Sequence, residues 1–457
     1  MRRLGLPAAV GAHRRGRHAV TPGPARLRPR EWLALVAALA IGHAFRVRIV
    51  RFPSDFDAVN YVQIATDIAQ HGLFRPFYYA NIRTYGYPLV LAGLERMAAR
   101  IGVDWLWLVF EVQLFAYLAA CVAVRNAVAR HDPVYAPWVL VTLALNVFAL
   151  SYAPETLTES LALTLLMLSA AMWIRMRVPG AALQGRVLAA ALLGSFAVMV
   201  RPASLFALMA LAVALLLVVF ERRVGWRAGL SMAVMFVVGT ALPMAPQVIN
   251  NLRNYGEATP LVVARLGTNQ QIWGIQYLKY ATALPPVPLP SVFYDNPLAA
   301  NRPIDFGHPL AWYWRYPWAG ARTLALHVFN MLDQDLFFTY ARSLDPWYRV
   351  PVAILNHALL GFAVIGGVLM VARRRLAVTA VAVIAFLAAH LGLHATTAVE
   401  MRFGLPLLVL AGPLAAFGWQ VLHRNAAQRA WLAAVILVAA WVTGALVLSD
   451  WVRAQAP

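Results

Sequence analysis

Two carboxylates, Asp55 and Asp57, stand two residues apart just behind the first apolar run, in RFPSDFDAVNYVQIATDIAQHGLFRPFYYANIRTYGYP, residues 51–88. At the water edge of a membrane segment an ionised carboxylate costs stability unless it is solvated or paired, which points to a task. A positioned acid of this kind can take a proton from an acceptor hydroxyl. The same two residues can equally cap the helix whose stripe of Tyr61, Ile64, Ala65 and Ile68 begins directly behind them. On this stretch alone both readings stand. Further polar groups recur at corresponding points of the chain: Glu155 and Glu159 in YAPETLTES, Arg201 in VMVRPAS, Asn250, Arg253 and Asn254 in PQVINNLRNYG, and Glu400 and Arg402 in HATTAVEMRFGLP. Acids and arginines gathered at one depth suit a phosphate-linked substrate, because the guanidinium fork matches phosphate oxygens. Each arginine alone also reads as a side chain snorkelling or pairing at a span end; the set, on one face, reads as a site.

The elements that must position these groups are membrane helices. Hydrophobic residues make up 61% of the chain and charged residues 13%, and apolar runs of about 17 to 22 residues recur, the length that crosses a bilayer. Lipid offers the backbone no partners, so such runs must be helical. Spans are expected near 31–50, 104–124, 134–152, 157–174, 187–200, 203–220, 228–246, 351–371, 376–394, 403–422 and 430–449. The expected fold is therefore all-α and polytopic, with about eleven transmembrane helices. Residues 1–30 read as a disordered basic cytoplasmic tail, 31–246 as a transmembrane core with the acidic loop 51–88, 247–350 as a large outer cap, and 351–457 as the C-terminal spans. With the amino terminus inside, every short turn such as 125–130, 175–186, 222–227, 373–375 and 424–429 is basic, as the positive-inside rule requires. Asp55, Asp57, Glu159, Glu400 and the long segment then share the opposite face. Residues 87–100 read as an interfacial helix. The cap, rich in Trp and Tyr and holding LPPVPLP, reads as a partly helical lid with stacking surfaces for sugar or lipid, or as a spacer held by aromatic packing.

The net charge of +20 is nearly all arginine, spread over short turns, which fits topology and not nucleic-acid binding. Cys121 lies in an apolar run and reads as core. No glycine-rich phosphate loop and no HExxH occurs, and His390 with His394 is weak evidence for a metal without an acid beside them.

These motifs, in this order, resemble the GT-C superfamily of polyprenyl-phosphate-dependent glycosyltransferases. The resemblance extends to its branch with the protein O-mannosyltransferases, the aminoarabinose–lipid A transferases and the Rhizobium lipopolysaccharide transferases. The carrying residues are Asp57 with Tyr61, Ile64 and Ala65, then Gly72 and Tyr87-Pro88; Thr158-Glu159; Arg201-Pro202; Arg253, Asn254, Tyr255 and Gly256 with Gly267 and Asn269 beyond; and Glu400, Arg402 and Phe403. Ala58 stands where many relatives carry a second acid, so Asp55 is a candidate replacement and a divalent metal ion is left open.

The resemblance implies an inverting enzyme that takes a sugar from a polyprenyl-phosphate sugar (undecaprenyl phosphate in a bacterium) and passes it to a lipid, polysaccharide or protein acceptor. It further implies a bacterial inner-membrane protein with a periplasmic site. Asp57, with Asp55 as second candidate, would be the base or its orienter. Arg201, Arg253 and Arg402 would hold the phosphate, supported by Glu159 and Glu400, with Tyr61, Tyr87, Asn254 and Asn269 on the substrate loops. A flippase for lipid-linked saccharides or a noncatalytic scaffold of the same fold is the alternative.

Overall fold

The computed structural model describes residues 26–48, 56–74, 82–176, 183–221, 224–264, 266–283, 291–341, 343–372, 377–425 and 428–456. The expected basic tail up to residue 25, Asp55 and LPPVPLP lie outside the described residues. The chain opens with α1 (Pro29–Arg48), α2 (Phe56–His71), α3 (Gly86–Ile101), α4 (Trp105–Ala129), α5 (Ala136–Ala144) and α6 (Val147–Leu150). It continues with α7 (Thr158–Met176), α8 (Leu183–Val200), α9 (Leu205–Glu221) and α10 (Trp226–Tyr255). The cap holds α11 (Leu266–Gln276), β1 (Tyr277–Ala283), β2 (Ser291–Asp295), α12 (Ala311–Arg315), α13 (Pro317–Leu332) and β3 (Tyr340–Ala341). Four helices close the chain: α14 (Arg349–Ala372), α15 (Ala377–Ala395), α16 (Leu405–Asn425) and α17 (Gln428–Arg453).

Among the described residues eight helices are long and apolar enough to cross a membrane: α4, α7, α8, α9, α10, α14, α16 and α17. The other expected spans also fall on helix, namely α1, α15 and the pair α5–α6. The break between α5 and α6 has a local cause. Asn146 sits inside an apolar run, where its side chain prefers capping to helix interior. It accepts from Ala149 N–H at 3.0 Å and donates to the Leu408 carbonyl of α16 at 3.2 Å. Breaking there lets residues 151–157 fold into the protein, where all of them are buried.

The core runs between α1, α4, α5, α6, α7 and α16, with Phe110, Leu114, Leu140, Leu150 and Leu408 fully enclosed and Cys121 among them as a free thiol. The stripe on α2 packs as the pattern predicts: Ile64, Ala65 and Ile68 are buried against Tyr87 and Leu91 of α3. At the end of the bundle away from the cap, Arg125 of α4 grips Glu31 of α1 through Nε at 2.6 Å and Nη2 at 3.1 Å. Both side chains are buried, and this fork ties the first helix to the bundle.

The cap is more than helix. β1 pairs antiparallel with β2, from Tyr277 opposite Asp295 to Thr282 opposite Ser291, and parallel with β3 through Thr282 and Tyr340. This three-stranded sheet, in the order β2-β1-β3, has no counterpart in the helical periodicity of the sequence. Half of its residues, among them Tyr277, Tyr280, Thr282, Val292, Phe293 and Tyr294, are aromatic or β-branched, types that suit a half-buried pleat. The cap's aromatic residues divide: Trp312, Tyr294 and Phe338 are buried, while Trp314 and Trp318 are 84% and 75% exposed.

Candidate active site

Two span entries are built alike. Pro202 disfavours helical backbone at the residue before it, and Arg201 is extended (φ −143°, ψ 108°) at the head of a 3-10 turn, Pro202–Ser204, that leads into α9. Glu400 is likewise extended at the head of the turn Met401–Gly404 that leads into α16. Gly404 lies so close to the Met331 carbonyl that a Cβ would collide with it. These two entries, the first turn of α2 and the start of α7 bring five distant residues together. Arg402 is the hub: Nη2 donates to Asp57 Oδ2 at 2.7 Å, Nε to Glu400 Oε2 at 2.5 Å, and Nη1 lies 3.5 Å from Glu159 Oε1. Arg201 Nη1 pairs with Glu159 and donates to Thr158 Oγ1 at 3.2 Å.

The remaining oxygen of Asp57 belongs to Arg83, a partner that sequence reasoning missed. Arg83 stands in the Arg-Thr-Tyr-Gly-Tyr-Pro turn, which reads in the sequence only as a turn; with three Asp and three Arg, residues 51–88 carry no charge imbalance that would single it out. The Arg83 guanidinium also lies 5.2 Å over the Tyr61 ring, which meets Tyr87 edge-on at 5.4 Å. The turn is anchored from α10, where Gln247 accepts from Tyr85 N–H at 3.1 Å and bonds Asn251 at 3.0 Å. Residues from the cap were missed too. The Thr339 hydroxyl and the Tyr280 hydroxyl both donate to Glu400, and Arg402 lies 5.9 Å over the Tyr340 ring.

Charge balance sets the electrostatics. Three acids (Asp57, Glu159, Glu400) face three arginines (Arg83, Arg201, Arg402). Burial pushes Asp57 up, but Arg402 and Arg83 outweigh it and hold the carboxyl at about 2. Glu400 goes the other way: burial raises it to about 6 even though Arg402 and the Tyr280 hydroxyl pull down. Asp57 is thus an anion throughout the neutral range, while Glu400 can exchange a proton near neutrality.

Beside the cluster opens a pocket of about 380 Å³ lined by Glu159, Arg201, Ser204, His390 and Arg402. Leu163, Leu166, Phe386 and Pro406 line both this pocket and a groove of about 880 Å³ between α7, α8, α9 and α16. The groove's wall is otherwise apolar apart from Ser169. Its shape suits a molecule with one anionic end and a long hydrocarbon tail.

Residues 32–260, half of the chain, match the family model of the Alg9-like mannosyltransferase family. The chain belongs to this family. It is therefore a multi-pass membrane glycosyltransferase of the GT-C superfamily to which the motifs were likened; the branch that matches is the Alg9-like one. No curated protein matches the sequence. The family match covers α1 to α10, and with them Asp57, Arg83, Glu159 and Arg201; Glu400 and Arg402 come from beyond it.

Of the residues singled out from sequence, Asp57, Arg201, Arg402, Glu159, Glu400, Tyr61 and Tyr87 converge. Arg253 does not join them: it is exposed near the end of α10, 5.8 Å over the Phe74 ring. Asn254 bonds its neighbour one turn back, Asn250, at 2.7 Å, and Asn269 is exposed on α11. His390 and His394 pack ring to ring at 4.5 Å, and His390 Nε2 donates to the Phe403 carbonyl at 2.8 Å. As for a divalent metal, no three His, Cys, Asp or Glu side chains among the described residues are placed to ligate one. Asp57, Glu159 and Glu400 are each held by arginine, so this donor set does not fit a cation.

Proposed function

We propose that this glycosyltransferase moves a sugar, with mannose the first candidate from its family, from a polyprenyl-phosphate sugar to an acceptor hydroxyl with inversion. One observation carries the reading: the Asp57–Arg402–Arg201 cluster stands at the mouth of an apolar groove. The groove would take the polyprenyl tail and place its phosphate against Arg201 and Arg402, the groups suited to stabilise charge developing on a leaving phosphate. In a single displacement the acceptor oxygen attacks the anomeric carbon. The bond from that carbon to the phosphate oxygen breaks with its electron pair, and the hydroxyl proton passes to Asp57. One base opposite one leaving group suffices, unlike the carboxylate pair of a retaining glycosidase.

An arginine-clamped aspartate is a weak base, and the balanced cluster offers an incoming phosphate no idle cation. Both points are met by a handover. Phosphate oxygens draw Arg402 and Arg83 off Asp57, and the freed carboxylate becomes more basic only once donor is bound. Glu400, fully enclosed and bonded to Thr339, Tyr280 and Arg402, orients Arg402 instead of touching substrate. The reading extends to a bacterial inner membrane with the cluster on the periplasmic side, in line with the basic turns at the other end.

The test is release of polyprenyl phosphate from defined polyprenyl-phosphate sugars, with an envelope extract as acceptor, by the full chain in nanodiscs. Release by wild type and not by Asp57→Asn is expected, with the product's anomeric configuration inverted. Equal release from both proteins would move the base elsewhere. No release from folded wild type would overturn the transfer from this donor class, and a retained configuration would overturn the single displacement.

A further inference from the structure

Behind the strand that supplies Tyr280, a second set of charges is buried. Lys279, the only lysine beside 38 arginines in a chain with 39 basic residues of these two types, has Nζ 3.4 Å from Asp335 Oδ1 and 3.5 Å from Asp333 Oδ2. Asp333 also accepts from the Ser449 hydroxyl of α17 at 2.7 Å and from His357 Nε2 of α14 at 3.0 Å. Arg453 of α17 reaches Asp335 Oδ2 at 3.1 Å and the Leu344 carbonyl at 2.7 Å. Two cations and two anions from β1, the segment after α13, and α17 thus meet with a histidine of α14. Burial works against the Lys279 ammonium, but Asp335 and Asp333 more than offset it and hold the amine protonated. A compact ammonium fits between carboxylates of two different residues, where the wide guanidinium fork suits one planar partner.

A buried charge group is a weak device for stability, since apolar side chains of equal volume do as well; what it can impose is register. Register matters here. Neighbouring residues of a strand face opposite sides, so β1 turns Lys279 into this clamp and Tyr280 toward Glu400. Tyr280 also donates its backbone N–H to the Val399 carbonyl at 2.9 Å, next to Glu400. The segment that carries Asp333 and Asp335 runs on to Thr339, the other hydroxyl on Glu400. Both hydroxyl partners of Glu400 therefore come from chain that the clamp pins. We propose that Lys279, with Asp333 and Asp335, is a positioning device for the catalytic cluster: it sets β1 and residues 333–340 against α14 and α17, which holds Tyr280 and Thr339 on Glu400 and so keeps Arg402 oriented in the site. Its kinetic consequences rest on the transfer reading; its structural consequence does not.

The test uses the full chain in nanodiscs with Lys279→Met/Asp335→Asn, which removes one charge of each sign, and with Lys279→Arg, which keeps the cation. Amide exchange is followed at Tyr280, and polyprenyl-phosphate release is followed against pH. The groups facing Glu400 are Arg402, Tyr280, Thr339, Asp57 and Glu159, with Tyr152 and Tyr340 beyond. Freeing Tyr280 leaves burial less opposed, so the acid limb of the profile should move upward from about 6. In the double variant, exchange at Tyr280 should quicken and kcat should fall roughly ten- to a hundredfold, the size of effect a misplaced catalytic group produces. Lys279→Arg keeps the charge but not the compact shape, so it should move the limb less than the double variant does. A merely structural tie would lower the folded fraction without moving the limb. A folded double variant with wild-type exchange and an unmoved limb overturns the proposal. If the double variant does not fold, Asp335→Asn alone, which leaves Lys279 on Asp333, carries the same two readouts. Quicker exchange in the variant alongside an inactive wild type would remove the transfer reading and leave the positioning role standing.

Discussion

Asp57 and Glu400 answer opposite questions. Held at about 2 by its two arginines once burial is outweighed, Asp57 does not titrate in the working range. Replacing it with Asn should keep hydrogen-bonding capacity toward Arg402 while removing the proton acceptor, lowering kcat by roughly 10²- to 10⁴-fold. A stopped or radiometric transfer assay checks this, and a loss under tenfold would remove Asp57 from the base role. Glu400, raised to about 6, takes up a proton as pH falls through that value and then loses its grip on Arg402 Nε. The rate should therefore fall below about 6, and Glu400→Gln should abolish that limb at a cost of roughly ten- to a hundredfold in kcat, the worth of one charge-assisted hydrogen bond. The linkage sign agrees. An acid raised in the folded state favours folding below its unfolded value, and that advantage fades as pH rises from the ordinary carboxylate range to about 6. Arg83 shows what sequence conceals at this scale: an arginine inside a loop carries no mark of its partner until the loop is closed.

At the scale of elements, the site depends on two span entries whose first residues are extended and lead into 3-10 turns. Arg201 was legible because the proline behind it dictates such backbone. The turn at Met401–Gly404 rests on a close approach: its glycine faces the Met331 carbonyl at the end of α13. Gly404→Ala forces that turn to move, an overpacking worth about 1–3 kcal/mol. The expected result is a melting temperature lowered by several degrees and transfer lowered beyond what the folded fraction explains, since Arg402 moves with the turn. Thermal unfolding and a rate per folded molecule separate the two effects. The pattern PQVINNLRNYG divides in an instructive way. Gln247 and Asn251 turn inward to hold the Arg83 turn, while Arg253, the residue with the more suggestive chemistry, faces outward. Helical spacing alone does not say which face of a long helix end meets the cap.

For the whole molecule, the arginine cluster and the groove form one continuous surface across α7, α8, α9, α15 and α16. Ala210 lies in the groove wall away from the charges. Ala210→Phe should raise KM for a long-chain polyprenyl donor about tenfold, the worth of a poorly fitting apolar group. The same change should leave a short-chain donor nearly untouched; equal effects on both would mean the tail lies elsewhere. What the sequence determined by itself is the helical membrane architecture, the shared side of the acids, the stripe on α2, and most members of the cluster. Apolar run length and the distribution of arginine are properties of consecutive residues, and lipid leaves such runs one backbone solution. What only the tertiary structure decided is who pairs with whom: Arg83 with Asp57, Tyr280 and Thr339 with Glu400, Arg253 with none of them, and Lys279 in a clamp of its own. The physical reason is range. These contacts join residues 26, 54 and 61 positions apart in the chain (Arg83 to Asp57, Lys279 to Asp333, Thr339 to Glu400), and their energy depends on distances of a few ångströms that no local pattern records.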